Sequence, residues 1–326
     1  ERTRTPFTIP GHKQKASALD ADLGAVVDAD TPLYGGLDEI KLTNQTLKAA
    51  ESLAATLWGA DYARFSTGGS THANQAIIFA LGKPGDKVAV SRTAHRSVLS
   101  ALVLAGLEPI WMSPEIDTAT GVPTGITAGE LAKALTEKPI AVLLTEPGYL
   151  GTISDLPALI ELSHQVKVPV ILDAAWGGHF GFHPRLPQHA FQLGADALIT
   201  STHKALPGYS ASALLLARTT LLSAERLEQS FETTHTTSPA GAPLASIDGV
   251  RALLQTRGEE LIGALLENID RFKELVQAEF ALPIFLYPQD FPVGRFDASK
   301  IVLRVQQLGA SGVEIEQHLQ GAGIRV

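Results

Sequence analysis

The sequence predicts an α/β protein built on a mainly parallel sheet with helices on both faces. Three observations carry that prediction. Short, nearly continuous apolar runs of strand length recur along the first two thirds of the chain. They are buried on both faces by their composition, as in parallel sheets. Segments with apolar residues at helical spacing separate them. Finally, 45% of the 326 residues are hydrophobic and 18% charged, enough material for a dry core.

In chain order, residues 1–45 are rich in turn formers, including Pro6, Pro10, Gly11, Pro32, Gly35 and Gly36. Such a segment is expected to be an arm that wraps a surface or another subunit. A helix is expected from about residue 46, where Leu47, Ala50, Leu53, Ala54 and Leu57 share one face. Seven strands follow, at 62–66, 88–90, 109–112, 140–144, 170–172, 197–199 and 213–216. Helices at 73–81, 98–105, 131–135 and 156–166 are interleaved with them. Residues 46–240 thus read as one large domain. A linking helix over 241–280 carries the stripe Ile262, Leu265, Leu266, Ile269, Phe272, Leu275 and Val276. Strands at 284–287 and 301–305 and a helix at 313–319 read as the start of a smaller α+β domain, 281–326, incomplete at Val326.

Composition removes several function classes. With no cysteine, thiolate metal sites, disulfides and cysteine nucleophiles are excluded. A net charge of −8 without a basic run disfavours nucleic acid and anionic membranes as partners. No apolar stretch approaches the roughly 18 residues of a membrane helix. No signal-peptide pattern opens the sequence, and the expected location is the cytoplasm. The first residue is Glu1 rather than Met, so a trimmed N-terminus is expected. The P-loop, HExxH, GxSxG and GxGxxG signatures are absent.

Four constellations remain, each with a bland alternative. Thr67-Gly68-Gly69-Ser70-Thr71-His72-Ala73-Asn74 lies where a strand feeds a helix. Its amides and hydroxyls suit an anion such as phosphate, or form an ordinary N-cap. Asp173 follows a strand, at the ligand edge of a parallel sheet or as a turn residue. Lys204, in Ser201-Thr202-His203-Lys204, is an amine nucleophile or a solvated surface lysine. His95 follows another strand end, where a lone histidine is more often structural. The pair His179 and His183 lacks a clear third ligand, so no metal is expected. Taken together, a phosphate cradle, a carboxylate, an amine and a ring-stacking histidine match what pyridoxal 5'-phosphate requires.

The sequence also resembles a known family, the bacterial Orn/Lys/Arg decarboxylases, in their compact biosynthetic branch. The motifs are Pro6-Phe7-Thr8-Ile9-Pro10-Gly11-His12-Lys13, Gly69-Ser70-Thr71, Pro84-Gly85-Asp86-Lys87, His95, Tyr149 with Gly151, Asp173-Ala174-Ala175-Trp176, Ser201-Thr202-His203-Lys204 and Thr237-Ser238-Pro239. The resemblance implies the aspartate-aminotransferase fold, pyridoxal-phosphate fold type I. It implies that Lys204 forms the Schiff base, Asp173 pairs with the pyridinium nitrogen, and His95 and Ala175 flank the ring. Ser70, Thr71, Ser201 and His203 would hold the phosphate. It further implies a homodimer or higher homo-oligomer, with the Pro10-to-Lys13 loop and Thr237-Ser238 lining the neighbour's site.

The expected reaction is decarboxylation of a small cationic amino acid, arginine first and lysine or ornithine next, to an amine of polyamine metabolism. Where the family commonly reads Ser-x-His-Lys-x-Leu-x-x-x-Thr-Gln, this chain has Pro207-Gly208 and Ala211 in place of the Gln. The alternatives are an aminotransferase or lyase on the same fold, with Arg304 or Arg325 clamping an α-carboxylate, and a silent regulatory homologue. A phosphate-binding module without pyridoxal chemistry is the bland fallback.

Overall fold

A computed structural model describes residues 46–292 and 294–325, with Lys13 and Asp30. The expected arm over 1–45, with its Pro-Gly-His sequence, lies outside the described residues apart from those two. The elements run α1 (Thr46–Trp58), β1 (Tyr62–Ser66), α2 (Gly69–Leu81), β2 (Lys87–Ser91), α3 (Arg96–Ala105), β3 (Glu108–Met112), β4 (Glu115–Ile116), β5 (Pro123–Gly125), α4 (Ala128–Leu135), β6 (Val142–Thr145), α5 (Leu156–Gln165), β7 (Val170–Asp173), β8 (Ala197–Ser201), β9 (Ala213–Ala217), α6 (Ala224–Thr234), α7 (Gly241–Gln277) and α8 (Gly312–Gly321).

All seven expected strands join one sheet, in the order β1-β9-β8-β7-β6-β2-β3. Every pairing is parallel except those of β9, which runs antiparallel to both β1 and β8. The apolar runs explain the layering. Successive residues of a strand face opposite sides of a sheet. Leu144, Leu172 and Leu198 therefore enter one core with Leu131, Leu159 and Leu266. Their chain neighbours Leu143, Ile171 and Ile199 enter the other, with Ile77, Val98 and Phe231. A polar residue anywhere in the middle of these runs would sit inside one core or the other.

The helix starts are set by capping side chains. Thr127 accepts from the Glu130 amide, Asp155 from Ala158 and Ser223 from Arg226, while Ser311 and Glu314 form a reciprocal capping box.

Two features departed from the expected pattern. The strands expected at 284–287 and 301–305 are not formed as strands. A single antiparallel bridge, Phe285 to Leu303, joins the two segments. Pro283 and Pro288 bracket the first, the second runs into a 3₁₀ turn at Val305–Leu308, and an isolated two-stranded pair is marginal on its own. Conversely, the β4–β5 hairpin and α6 were not expected. The hairpin strands are only two and three residues long, and α6 is mostly polar and buries only Leu227 and Phe231.

Candidate active site

The C-terminal ends of β2, β6, β7 and β8 and the start of α2 enclose a cleft of about 380 Å³. Open α/β sheets bind ligands at this edge. All eight residues singled out as site candidates line it: Ser70, Thr71, His95, Asp173, Ala175, Ser201, His203 and Lys204.

At one end of the cleft, α2 begins at Gly69, so Gly69-Ser70-Thr71 form the helix's first turn rather than a turn before it. The cap residue is Gly68, which has no side chain to accept from the first-turn amides. Ser70 Oγ lies 2.8 Å from Ser201 Oγ, joining the helix start to the end of β8. The His203 Nδ1–H donates to the Ser212 carbonyl at 2.9 Å, which fixes its ring. The loop after Lys204 folds back so that the Gly208 amide donates to the Thr202 carbonyl at 2.6 Å. A Cβ at position 208 would meet that oxygen at 2.4 Å, which is why the Pro207-Gly208 variation carries glycine there.

In the centre, the Asp173 carboxylate is buried. Asn74 Nδ2 donates to its Oδ2 at 2.8 Å, and the Ala175 amide to its Oδ1 at 3.2 Å. Burial pushes the Asp173 carboxyl above its ordinary range, against the pull of Asn74, Ala175, Lys204 and His95. The Lys204 amine is half-buried over the Trp176 ring, 4.9 Å from its centroid. Desolvation lowers its proton affinity, and the charge of Asp173 opposes this. His95 caps α3. Its Nδ1 accepts the Ser97 amide at 3.2 Å, which places the proton of a neutral ring on Nε2, facing away from the cap.

Asn74 stands in the first constellation, but sequence reasoning gives it no role, and it misses Ser97. Asn74 Nδ2 also donates to Ser97 Oγ at 3.1 Å, so one buried amide ties the carboxylate to the histidine cap. The available signal was its position four residues after Ser70, on the same helical face. Thr93, Thr145, Tyr149, Trp176 and Ala211 also line the cleft.

Other candidates lie elsewhere. His179 Nε2 bonds Asp297 and Ser299, and His183 Nδ1 accepts the Arg185 amide. Arg304 is engaged by Asp290 at 2.8 Å, and Arg325 is exposed. Neither arginine lines the cleft. Thr237 and Ser238 are exposed and do not line this chain's cleft.

Comparison with known proteins identifies the scaffold. Residues 1–290 match the family described as Orn/Lys/Arg decarboxylase, major domain. The chain is 34% identical to an arginine decarboxylase of Bacillus subtilis, over 98% of this chain and 67% of that protein. It is equally identical to one from Halalkalibacterium halodurans, over 96% of this chain and 66% of that protein. The chain thus spans about two thirds of the length of these relatives. Among solved structures, a lysine decarboxylase of Francisella novicida superposes with a TM-score of 0.72 at 22% identity, covering 86% of this chain and 43% of that one. A serine palmitoyltransferase of Sphingomonas wittichii gives 0.65 at 18% identity, covering 87% and 67%.

The fold is pyridoxal-phosphate fold type I, and family and fold together imply that cofactor. The donor set fits it. First-turn amides without a capping side chain and paired hydroxyls suit a phosphate, a buried basic carboxyl suits a pyridinium, and a desolvated amine suits an aldehyde. By sequence along nearly its whole described length, and by the donor set its sheet edge brings together, the chain belongs to the Orn/Lys/Arg decarboxylase family.

Proposed function

We propose that this protein decarboxylates a basic L-amino acid with pyridoxal phosphate, releasing CO₂ and the corresponding amine, with arginine the first substrate and lysine or ornithine next. The observation that carries the reading is the convergence of Lys204, buried Asp173, His95 and the Ser70–Ser201 pair on one cleft. The similarity to arginine decarboxylases supports arginine over the other two.

When bound, the cofactor supplies an electron-accepting pyridinium ring. The rest is the chain's contribution. Asp173, as a buried carboxylate, would pair with the ring nitrogen and favour its protonated form. Asn74 and the Ala175 amide aim that carboxylate. Lys204 offers an amine whose proton is weakly held, suited to bind the aldehyde and later to carry a proton to the substrate Cα. His95, pinned by Ser97, would stack on the cofactor ring, and Ala175 would pack on its other face. Ser70, Thr71, Ser201, His203 and the first-turn amides of α2 hold the phosphate.

In this reading residues 46–240 form the cofactor domain, 241–280 the linking helix, and 281–326 the opening of a small α+β domain. The protein works in the cytoplasm, in polyamine formation, as a homodimer with shared sites. The exposed Val103 and Leu104 on α3 and the exposed Thr237-Ser238 support a subunit contact. Among the described residues no helix is long and apolar enough to cross a membrane.

The test is to add pyridoxal phosphate, record the visible absorbance, and assay CO₂ release from arginine, lysine and ornithine. A visible band that Lys204→Ala abolishes, with CO₂ from one of the three, is expected. No band, or a band that survives Lys204→Ala, overturns the reading. Amine transfer without CO₂ reassigns the reaction to an aminotransferase.

A further inference from the structure

Lys300 belongs to none of the four constellations, yet the fold brings its ammonium against two aromatic rings that line the cleft. Its Nζ lies 3.9 Å from the Trp176 ring centroid and 5.6 Å from that of Tyr149. Lys204 Nζ lies 4.9 Å from the same Trp176 centroid. Two cationic side chains therefore share one indole. An aromatic face attracts a cation, but two like charges beside one ring repel, and the charge of Lys204 disfavours protonation of Lys300.

The placement of Lys300 is built in. Its backbone carbonyl accepts from Lys273 Nζ at 3.0 Å, and its amide donates to the Asp297 carbonyl at 3.1 Å. Asp297 is fully buried and held by Ser299 and His179. The Asp297 amide in turn donates to the Gly151 carbonyl at 2.8 Å. Position 151 has to be glycine, because a Cβ there would meet Lys300 Cγ at 2.9 Å and its own φ is +94°.

We propose that Lys300 is a positioning residue for Lys204: its charge, held over the shared Trp176 ring, favours the neutral amine of Lys204 that captures the cofactor. The inference rests on the reading of Lys204 as the amine that binds pyridoxal phosphate. Only the neutral amine has a free lone pair. That pair attacks the aldehyde carbon, the C–N bond forms, and the carbonyl oxygen leaves as water after both amine protons have moved to it. A neighbouring cation is one recognised way to keep a lysine unprotonated.

The surrounding charges set the balance. Asp173 at the end of β7 opposes Lys300 by favouring protonated Lys204, while His95 and His203 line the same cleft. Asp297 favours protonated Lys300, whereas burial and the charge of Lys204 disfavour it. Lys273 faces the Lys300 carbonyl, and Tyr149 faces its ammonium.

The test uses the full chain and pyridoxal phosphate, without turnover. The rate of cofactor capture is followed by visible absorbance across pH for the parent, Lys300→Met, Lys300→Gln and Lys300→Arg. Borohydride reduction and peptide mass spectrometry then locate the adduct. The capture midpoint is expected to move up by about half to one pH unit in the Met and Gln variants, with Arg restoring the parent value. Two neutral variants of different polarity keep the comparison available if one fails to fold by circular dichroism. Coincident midpoints in all four proteins, or an Arg variant that behaves like Met, overturn the proposal. Absence of a Lys204 adduct in the parent protein overturns the underlying reading instead, and is seen without any variant.

Discussion

Two ionic clusters on the same sheet are built on opposite rules. At the β1 edge, Arg64 is partnered on every side. It bonds Glu51 at 3.1 Å, Glu232 at 2.6 Å and Glu228, and its guanidinium lies 4.4 Å over the Phe231 ring. Glu51 also accepts the Phe65 amide, and Tyr62 donates to Glu228. In the cleft, satisfaction is incomplete. Among the described residues, Asp173 has neutral donors only at hydrogen-bond distance, Asn74 Oδ1 is buried without a partner, and Lys204 leans on an aromatic ring. A saturated network holds a structure together, whereas an unsaturated one retains binding capacity for something else. The edge network is therefore read as scaffold and the cleft as machinery.

The largest expected effect comes from separating the two. Lys204→Ala is expected to lower decarboxylation by about a thousandfold or more, while changing unfolding free energy by less than about 1 kcal/mol. Urea unfolding and CO₂ release on the same preparation check both halves, and a large loss of stability would make Lys204 a structural residue. Arg64→Met should do the reverse. It strands buried Glu51 without its cation and should cost about 3–5 kcal/mol of stability. The folded fraction should keep cofactor capture. If instead the unfolding midpoint stays put, the edge network is not scaffold.

A third buried carboxyl sharpens the contrast through pH. Among the described residues Glu146 has only the Ser154 amide and hydroxyl as partners, and burial pushes its carboxyl from 4.5 up to about 7. The folded state holds that proton more tightly than the unfolded chain. Its contribution is thus fully present below about pH 4.5 and is lost as pH rises through about 7, on the order of 3 kcal/mol in all. Glu146→Gln should flatten the urea midpoint across that window. An unchanged slope would mean that burial does not govern this group.

The smallest effect is the most local. Asn74→Ala removes the donor shared by Asp173 and Ser97 and should cost about 1–2 kcal/mol. It should also raise the Asp173 carboxyl further, which carboxyl-stretch infrared titration would detect. A change in stability without that shift would reduce Asn74 to packing.

Much of this was legible in sequence for a definite reason. Runs such as Leu143-Leu144 and Ile171-Leu172 serve both cores at once, and only a sheet covered on both faces uses such pairs. The strand ends they define already carry Asp173, Ser201 and, three residues on, Lys204. Less legible were elements whose stability comes from partners distant in sequence. Residues 284–287 carry a strand-like apolar run but find only one bridging partner. Asn74 meets Asp173 across 99 residues, and Lys300 reaches Trp176 from the far side of a 37-residue helix.

The sequence by itself determined which residue types stand at the strand ends and that the sheet would be buried on both sides. Both follow from local period and composition, which the chain carries residue by residue. Tertiary structure alone decided the strand order, the meeting of four strand ends in one cleft, and the second ammonium on the Trp176 ring. Those outcomes depend on distance and desolvation in space. Coulomb interaction and the loss of water act on separations in ångströms and are indifferent to separation along the chain.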